Sequence, residues 1–140
     1  MRLFGPNSAM SGTTTWSGEA VSWRNFAPME KRNIRVIRGE IWLAALDPTI
    51  GSEIQKTRPC VIVSPPEMHD SLRTVTAAPM TTGSRPAPYR VPVRFRGTDG
   101  LILLDQLRTL DKRRLVRRLG NVDGGTLTLA LATLREMFEE

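Results

Sequence analysis

Apolar positions along this 140-residue chain fall into short runs separated by polar and Gly/Pro punctuation. Glu40 to Leu46 reads as a first strand, built on Ile41-Trp42-Leu43, and Pro59 to Val63 as a second, short enough and apolar enough to be buried. Pro65-Pro66 breaks that run. Thr74 to Ala78, rich in β-branched residues, predicts a third strand, and Thr82 to Pro88 a Gly/Ser/Pro loop. Val91 to Phe95 alternates as a half-exposed strand does, with Pro92 placing it at an edge or bulge. Thr98-Asp99-Gly100 predicts a turn, followed by the apolar run Leu101 to Leu104 and a further strand over Gln106 to Leu110. The tail changes period. After Gly124-Gly125, Thr126 suits an N-cap, and Leu127, Leu131, Leu134 and Phe138 repeat at helical spacing as one apolar face. Short strands closed by one helix predict a mainly β domain, a small twisted barrel with a C-terminal helix.

Residues 1–33 differ from this body. They are rich in Ser, Thr, Gly and Asn, and neither the strand nor the helix period is sustained. Such a segment buries too little apolar area to offset its ordering entropy. The expected division is therefore a 1–33 extension without fixed structure and a 34–140 domain. Trp16, Trp23 and Phe26 argue the other way, since they offer anchors for docking.

Composition narrows the class. Hydrophobic residues make up 40% of the chain, enough for a core. No window reaches the roughly 18 consecutive apolar residues of a membrane span, and no signal-peptide pattern opens the chain. The single cysteine excludes an internal disulfide framework and reads as a small buried hydrophobe. Together these lead us to expect a cytoplasmic protein.

Charge adds a partner. The net charge is +6. Between Arg85 and Arg118 stand ten basic residues (85, 90, 94, 96, 108, 112, 113, 114, 117, 118) against three acidic ones (99, 105, 111), and nine of the ten are arginine. Guanidinium groups bind phosphate in a two-pronged geometry and stack on bases. The surface suits a polyanion, most simply nucleic acid; solvated strand edges would look the same.

Candidate chemistry gathers in the polar loop between the first two strands, since loops held by rigid strands are where sites are usually built. Gly39-Glu40-Ile41-Trp42 leads into Asp47-Pro48, then Gly51-Ser52-Glu53, then Arg58-Pro59 and an apolar run. Further on come Pro79-Met80-Thr81-Thr82 and Asp105-Gln106-Leu107-Arg108-Thr109. In this order and at these spacings the segments resemble the MazF/PemK family of ribonuclease toxins, and the match spans nearly everything from Ile34 onward. The resemblance implies an SH3-like or CcdB-like barrel, usually a homodimer, that cuts single-stranded RNA without a cofactor and is neutralised by a cognate acidic antitoxin.

It also implies site residues. Arg58 takes the central active-site position, Thr81 the catalytic or phosphate-orienting threonine, and Glu53 the motif carboxylate. Ser52, Gln55, Lys56, Thr82, Ser84, Arg85, Asp105, Gln106 and Arg108 are the RNA-binding candidates. One departure stands out. The PemK-type branch has an arginine two residues before the aspartate; here that position is Leu103, which favours a mechanism centred on Arg58 and Thr81 over one centred on Asp105.

Other chemistries find less support. His69 is the only histidine, so a paired-histidine ribonuclease mechanism is excluded, and beside Asp70 it reads as incidental. No His/Cys/Asp cluster has metal-ligand spacing, no phosphate loop of the nucleotide-triphosphate type is present, and Ser64-Pro65 forms no nucleophile elbow. Metal-free RNA cleavage by the substrate's own 2′-hydroxyl needs a proton acceptor, a proton donor and cations on the phosphorane. Two alternatives remain at this point: a non-enzymatic gyrase poison of the same barrel class, and a plain RNA-binding barrel.

Overall fold

The computed structural model describes residues 34–47, 51–53 and 56–140. The expectation for residues 1–33 lies outside these. Glu40–Ala45 (β1) and Thr57–Ile62 (β2) form an antiparallel pair with Trp42 opposite Cys60. Every residue of both strands is buried, as continuous apolar runs with cover on both faces require. Pro66–His69 is one short helical turn (α1) with proline in its first turn, where the missing N–H is not needed.

The strand Thr74–Thr81 (β3) is the hub. One side pairs with β2, Cys60 opposite Pro79. The other side takes two partners in succession. Arg108–Asp111 (β6) covers Thr74 to Ala77, and Thr98–Leu103 (β5) covers Met80 and Thr81. Pro79 falls in the gap between them, where a strand tolerates a residue without an N–H. Feeding two neighbours from one strand curls the sheet. Arg90–Phe95 (β4) extends it beyond β5, and Leu115–Asn121 (β7) closes the far side on β1, giving the order β4-β5-β3-β2-β1-β7 with β6 beside β3.

Each face of the curl has a core. Ile41, Val61, Ala78, Met80, Val91 and Ile102 meet Ala130, Leu131 and Leu134 of the helix Gly124–Met137 (α2). Trp42, Cys60, Ile62, Ala77, Leu110 and Leu115 meet Val36 on the other. Glu40 ties β1 to β7 and to the segment ahead of it. Its buried carboxylate accepts from Ile37 N (2.8 Å), Trp42 Nε1 (3.1 Å) and Arg118 Nε (2.8 Å). These bonds give the Glu40 and Trp42 of the first motif a structural role.

The architecture agrees with the expected mainly β barrel and C-terminal helix, with corrections in detail. β3 runs to Thr81, past the expected end at Ala78. The turn at Thr98-Asp99-Gly100 is instead the start of β5, and the chain reverses at Arg96 (φ 52°) and Gly97 (φ 76°). Phe95 faces Thr98, so the loop has two residues, and left-handed φ at both gives the turn that matches strand twist. The strand expected over Gln106 to Leu110 divides into a 3₁₀ turn, Leu104–Gln106, and β6. β7 went unforeseen. The N-cap of α2 is Asp123, not Thr126: its carboxylate accepts from Thr126 N at 2.7 Å and Thr126 Oγ1 at 3.0 Å. Phe138 leaves the buried stripe and is 73% exposed.

Candidate active site

The two central residues stand on adjacent strands, Arg58 in β2 and Thr81 in β3. Cys60 pairs with Pro79, Val61 with Ala78 and Ile62 with Ala77. Arg58 and Thr81 each lie two residues from the Cys60–Pro79 pair that ends this ladder. Residues two apart in a strand share a face, here the face that carries Cys60. Arg58 was expected at a loop edge. Instead it is the second residue of β2 and only 2% exposed, because β1 and β2 stay paired out to Ala45 and Thr57.

Burial sets the electrostatics. Loss of hydration lowers the Arg58 guanidinium pKa from its ordinary value, with nearby Cys60 opposing the shift. The Cys60 thiol is pushed up to about 12 by burial, against the pull of Arg108 and Arg58. Its sulfur lies 3.7 Å from the Arg58 carbonyl, to which it donates. Thr81 is buried, and its hydroxyl oxygen accepts from Gly83 N at 3.2 Å. Next to it, Thr82 is buried with a hydroxyl that meets no hydrogen-bond partner among the described residues.

An open cleft of about 460 Å³ lies between the β1–β2 loop and the turn into β6. Its lining is Ser52 and Glu53 from the β1–β2 loop, Arg90 from the start of β4, and Asp105, Gln106, Leu107 and Arg108 from the turn into β6. Five of the expected residues (Ser52, Glu53, Asp105, Gln106, Arg108) therefore meet in one cleft. Arg58, Thr81, Thr82, Ser84, Arg85 and Lys56 do not line it, and Gln55 lies outside the described residues. Arg108 belongs to both zones, lining the cleft and acting on Cys60.

Arg90 was missed from sequence. It donates to Asp105 through Nε at 3.2 Å and Nη2 at 3.0 Å, and to the Arg85 carbonyl through Nη1 at 3.0 Å. Its hydrogen bond to Asp105 is the main cause raising the guanidinium pKa above its ordinary value. Arg90 is the cross-strand partner of Leu103. The guanidinium absent from position 103 thus arrives from the facing strand. Only the hairpin register reveals this, and a turn placed at residues 98–100 would have set that register wrongly. His69 is also more than incidental. It is fully buried, with Nδ1 3.1 Å from Ser64 Oγ and Nε2 against the Val36 carbonyl. It pins α1 to the chain entering β1 and lies outside the cleft.

A sequence profile of the "PemK-like, MazF-like toxin of type II toxin-antitoxin system" family matches residues 37–138. The chain is 41% identical over 98 residues to the endoribonuclease PemK of Escherichia coli, an alignment covering 66% of this chain and 74% of that one. It is 39% identical over 88 residues to the endoribonuclease MazF of Staphylococcus epidermidis, covering 59% and 73%. Among solved structures, MazF from Deinococcus radiodurans superposes with a TM-score of 0.68 at 23% identity, over 75% of this chain and 97% of that one. A mycobacterial endoribonuclease in complex with its cognate antitoxin superposes at 0.61 and 24%, over 72% and 92%. With its profile match extending from just before β1 to the end of α2, this chain belongs to the PemK-like, MazF-like toxin family of type II toxin–antitoxin systems.

Proposed function

We propose that the protein is an endoribonuclease toxin that cuts single-stranded RNA by attack of the 2′-hydroxyl on the adjacent phosphorus. The products are a 2′,3′-cyclic phosphate and a 5′-hydroxyl end. The observation that supports this reading is the β2–β3 register, whose Cys60–Pro79 pair lies two residues from both Arg58 and Thr81, with Arg108 both acting on Cys60 and lining the cleft. Because the nucleophile belongs to the substrate, the protein needs no serine or cysteine nucleophile. Glu53, exposed on the loop over the cleft, accepts the 2′-hydroxyl proton, and the leaving 5′-oxygen takes its proton from water in the open cleft, which completes the 5′-hydroxyl end. Arg58 and Arg108 bear on the charge that builds on the phosphorane, where low dielectric strengthens every cation. Arg58 acts as a fixed cation, since even a lowered guanidinium pKa leaves a poor proton shuttle at neutral pH. Thr81 holds a non-bridging oxygen. Asp105, aligned by Arg90, together with Gln106 and Ser52, reads the flanking nucleotides. Gln55, Lys56, Thr82, Ser84 and Arg85 carry the strand beyond them. An unpaired strand is required, since in-line attack and base reading both need an unstacked nucleotide.

The same reading includes a cognate acidic antitoxin, drawn to the arginine-rich surface that takes RNA, and a homodimer in the cytoplasm. Exposed Leu129 and Met137 on α2 and Phe138 at its C-cap, with Tyr89 beside Met137, give that dimer apolar surface to cover. Among the described residues no helix is long and apolar enough to cross a membrane.

The test is cleavage of a single-stranded RNA in EDTA. The expected products carry 5′-hydroxyl ends, and a substrate with 2′-deoxyribose at the cut site survives. Cutting of the deoxy substrate would overturn the mechanism. Growth arrest with intact cellular RNA and falling gyrase activity would instead favour the gyrase-poison reading.

A further inference from the structure

Asp47 belongs to the motif that opens the β1–β2 loop, yet the chemistry above gives it no task. The structure does. Beyond the last β1–β2 pair, Ala45 opposite Thr57, the two legs of the loop meet at Lys56. Its carbonyl accepts from Leu46 N at 2.9 Å. Its N–H donates to Asp47 Oδ1 at 3.0 Å. Lys56 adopts φ 71°, a left-handed turn that side chains other than glycine and asparagine rarely take. The outgoing leg is held from a third direction. Arg114 Nη1 donates to the Ala45 carbonyl at 3.0 Å and to the Asp47 carbonyl at 2.6 Å.

Arg114 reaches the loop from a firm base. It ends the 3₁₀ turn Lys112–Arg114, which Asp111 caps by accepting from Arg113 N at 2.8 Å. Within that turn Lys112 is buried, its N–H bonded to Arg73 O at 2.8 Å and its ammonium to the His69 carbonyl. The turn also follows β6 directly, and β6 begins at Arg108 of the cleft. One short stretch of chain therefore supplies a wall of the cleft and the group that holds the neck of the loop over it.

We infer that Asp47 and Arg114 form a latch at the neck of the β1–β2 loop, and that they are positioning residues which fix Glu53 and Ser52 over the cleft. Two backbone carbonyls, one carboxylate and one strained residue converge there, and none of these four groups lines the cleft. The latch stands on geometry alone. Its effect on cleavage rests on the nuclease reading given above.

The experiment compares Arg114→Ala, Arg114→Lys and Asp47→Asn with the intact protein, and uses Arg35→Ala, an exposed arginine ahead of β1, as a control of equal charge change. Amide exchange between Leu46 and Lys56 reads the latch without any substrate. Arg114→Ala is expected to speed exchange there at least about tenfold while protection of β3 is unchanged. Arg114→Lys restores part of the protection, since an ammonium can still donate to two carbonyls. Asp47→Asn, which keeps an acceptor and disturbs the fold least, gives a smaller change in the same direction. On RNA, Arg114→Ala lowers kcat by about 10–100-fold, the effect of a misplaced group, with KM changed little. Arg35→Ala leaves kcat intact. In a Glu53→Ala background, Arg114→Ala costs nothing more, because it acts through Glu53. Unchanged exchange in all three variants would overturn the latch. Faster exchange with an unchanged kcat, or an additive loss on Glu53→Ala, would overturn its positioning role. Intact protein that cuts no RNA would sink the nuclease reading and the positioning role with it, leaving the exchange result to decide the latch.

Discussion

A thiol without water around it holds its proton, and Cys60 shows the consequence for stability. Its folded pKa of about 12 lies well above the ordinary thiol value near 9. Between those values the unfolded chain has released a proton that the folded chain keeps. Stability is therefore fully present below about pH 9 and falls as pH rises toward 12, by up to about 1.4 kcal/mol per pH unit. Urea midpoints measured from pH 8 to 11 are expected to fall more steeply for the native protein than for Cys60→Ala; parallel slopes would remove Cys60 as the cause. The same burial decides how Arg58 is best tested. Truncation to alanine would leave a hole in β2 as well as remove the charge. Arg58→Lys keeps the stem and the charge but not the planar fork, so cleavage is expected to fall on the order of 10²–10³-fold with a cooperative melt retained. Full activity in this variant would move the chemistry away from position 58. Residue identity at this site was legible, since Arg58-Pro59 and Pro79-Met80-Thr81-Thr82 stand plainly in the chain. Depth was not, because how far β1 and β2 remain paired is a property of two strands together. Arg90 was hidden for the same reason, since only the β4–β5 register makes it a neighbour of Asp105.

Elements whose periods are local were easier to read than those completed by a partner. The helix and the β-branched strands announced themselves; β7 did not. Its sequence, Leu-Val-Arg-Arg-Leu-Gly-Asn, lacks clean alternation, and its register on β1 shifts twice. An edge strand rich in arginine also resists pairing with other chains, so polarity there reflects its place in the sheet. Turn chemistry misled in one case. Asp99-Gly100 looks like a turn, but the adjacent Arg96-Gly97 takes that role. Nothing lies within 4 Å of a Cβ built on Gly97, so Gly97→Ala meets no clash and incurs only the left-handed backbone, about 1–2 kcal/mol. A urea midpoint lowered by that amount with an unchanged m-value is the expected result; no change would mean the turn relaxes to another type. At α2, the Asp123 carboxylate is held below its ordinary pKa by the Thr126 N–H first and the Thr126 hydroxyl second. A depressed carboxylate stabilises above its unfolded pKa and loses that contribution as pH falls through the folded value. Asp123→Ala should therefore melt lower than the native protein at pH 7, and the gap should close below about pH 4. A gap that persists in acid would point to packing rather than to the cap.

At the scale of the whole molecule, the curl of the sheet leaves two cores to be covered, and the chain covers them with its two ends. α2 lies on one. The segment ahead of β1 lies on the other, where Val36 is buried and Ile34 packs beside it. That pairing of ends with faces could not be read from the sequence, where residues 34–38 carry no period of their own. It bears directly on where the folding unit begins. We propose a boundary at residues 33 and 34, supported by the profile match from residue 37 and by the contacts of Ile34 and Val36. A chain begun at residue 34 is expected to melt within a few degrees of the full chain. One begun at Gly39 should not. It loses buried Val36, on the order of 1.5–3 kcal/mol, and with it the carbonyl that faces His69 Nε2. It also loses the 2.9 Å bond from Arg38 Nε to Val63 O and the 2.8 Å bond from Ile37 N to Glu40 Oε1. Each buried group left unpaired adds about 1–3 kcal/mol, and together these approach the whole stability of a small domain. Thermal melts of the two truncations give the answer. If the chain begun at residue 34 aggregates, the first 33 residues pack on the body and the boundary is wrong. If the chain begun at Gly39 melts like the full protein, the second core closes without Val36, and His69 holds no structural post.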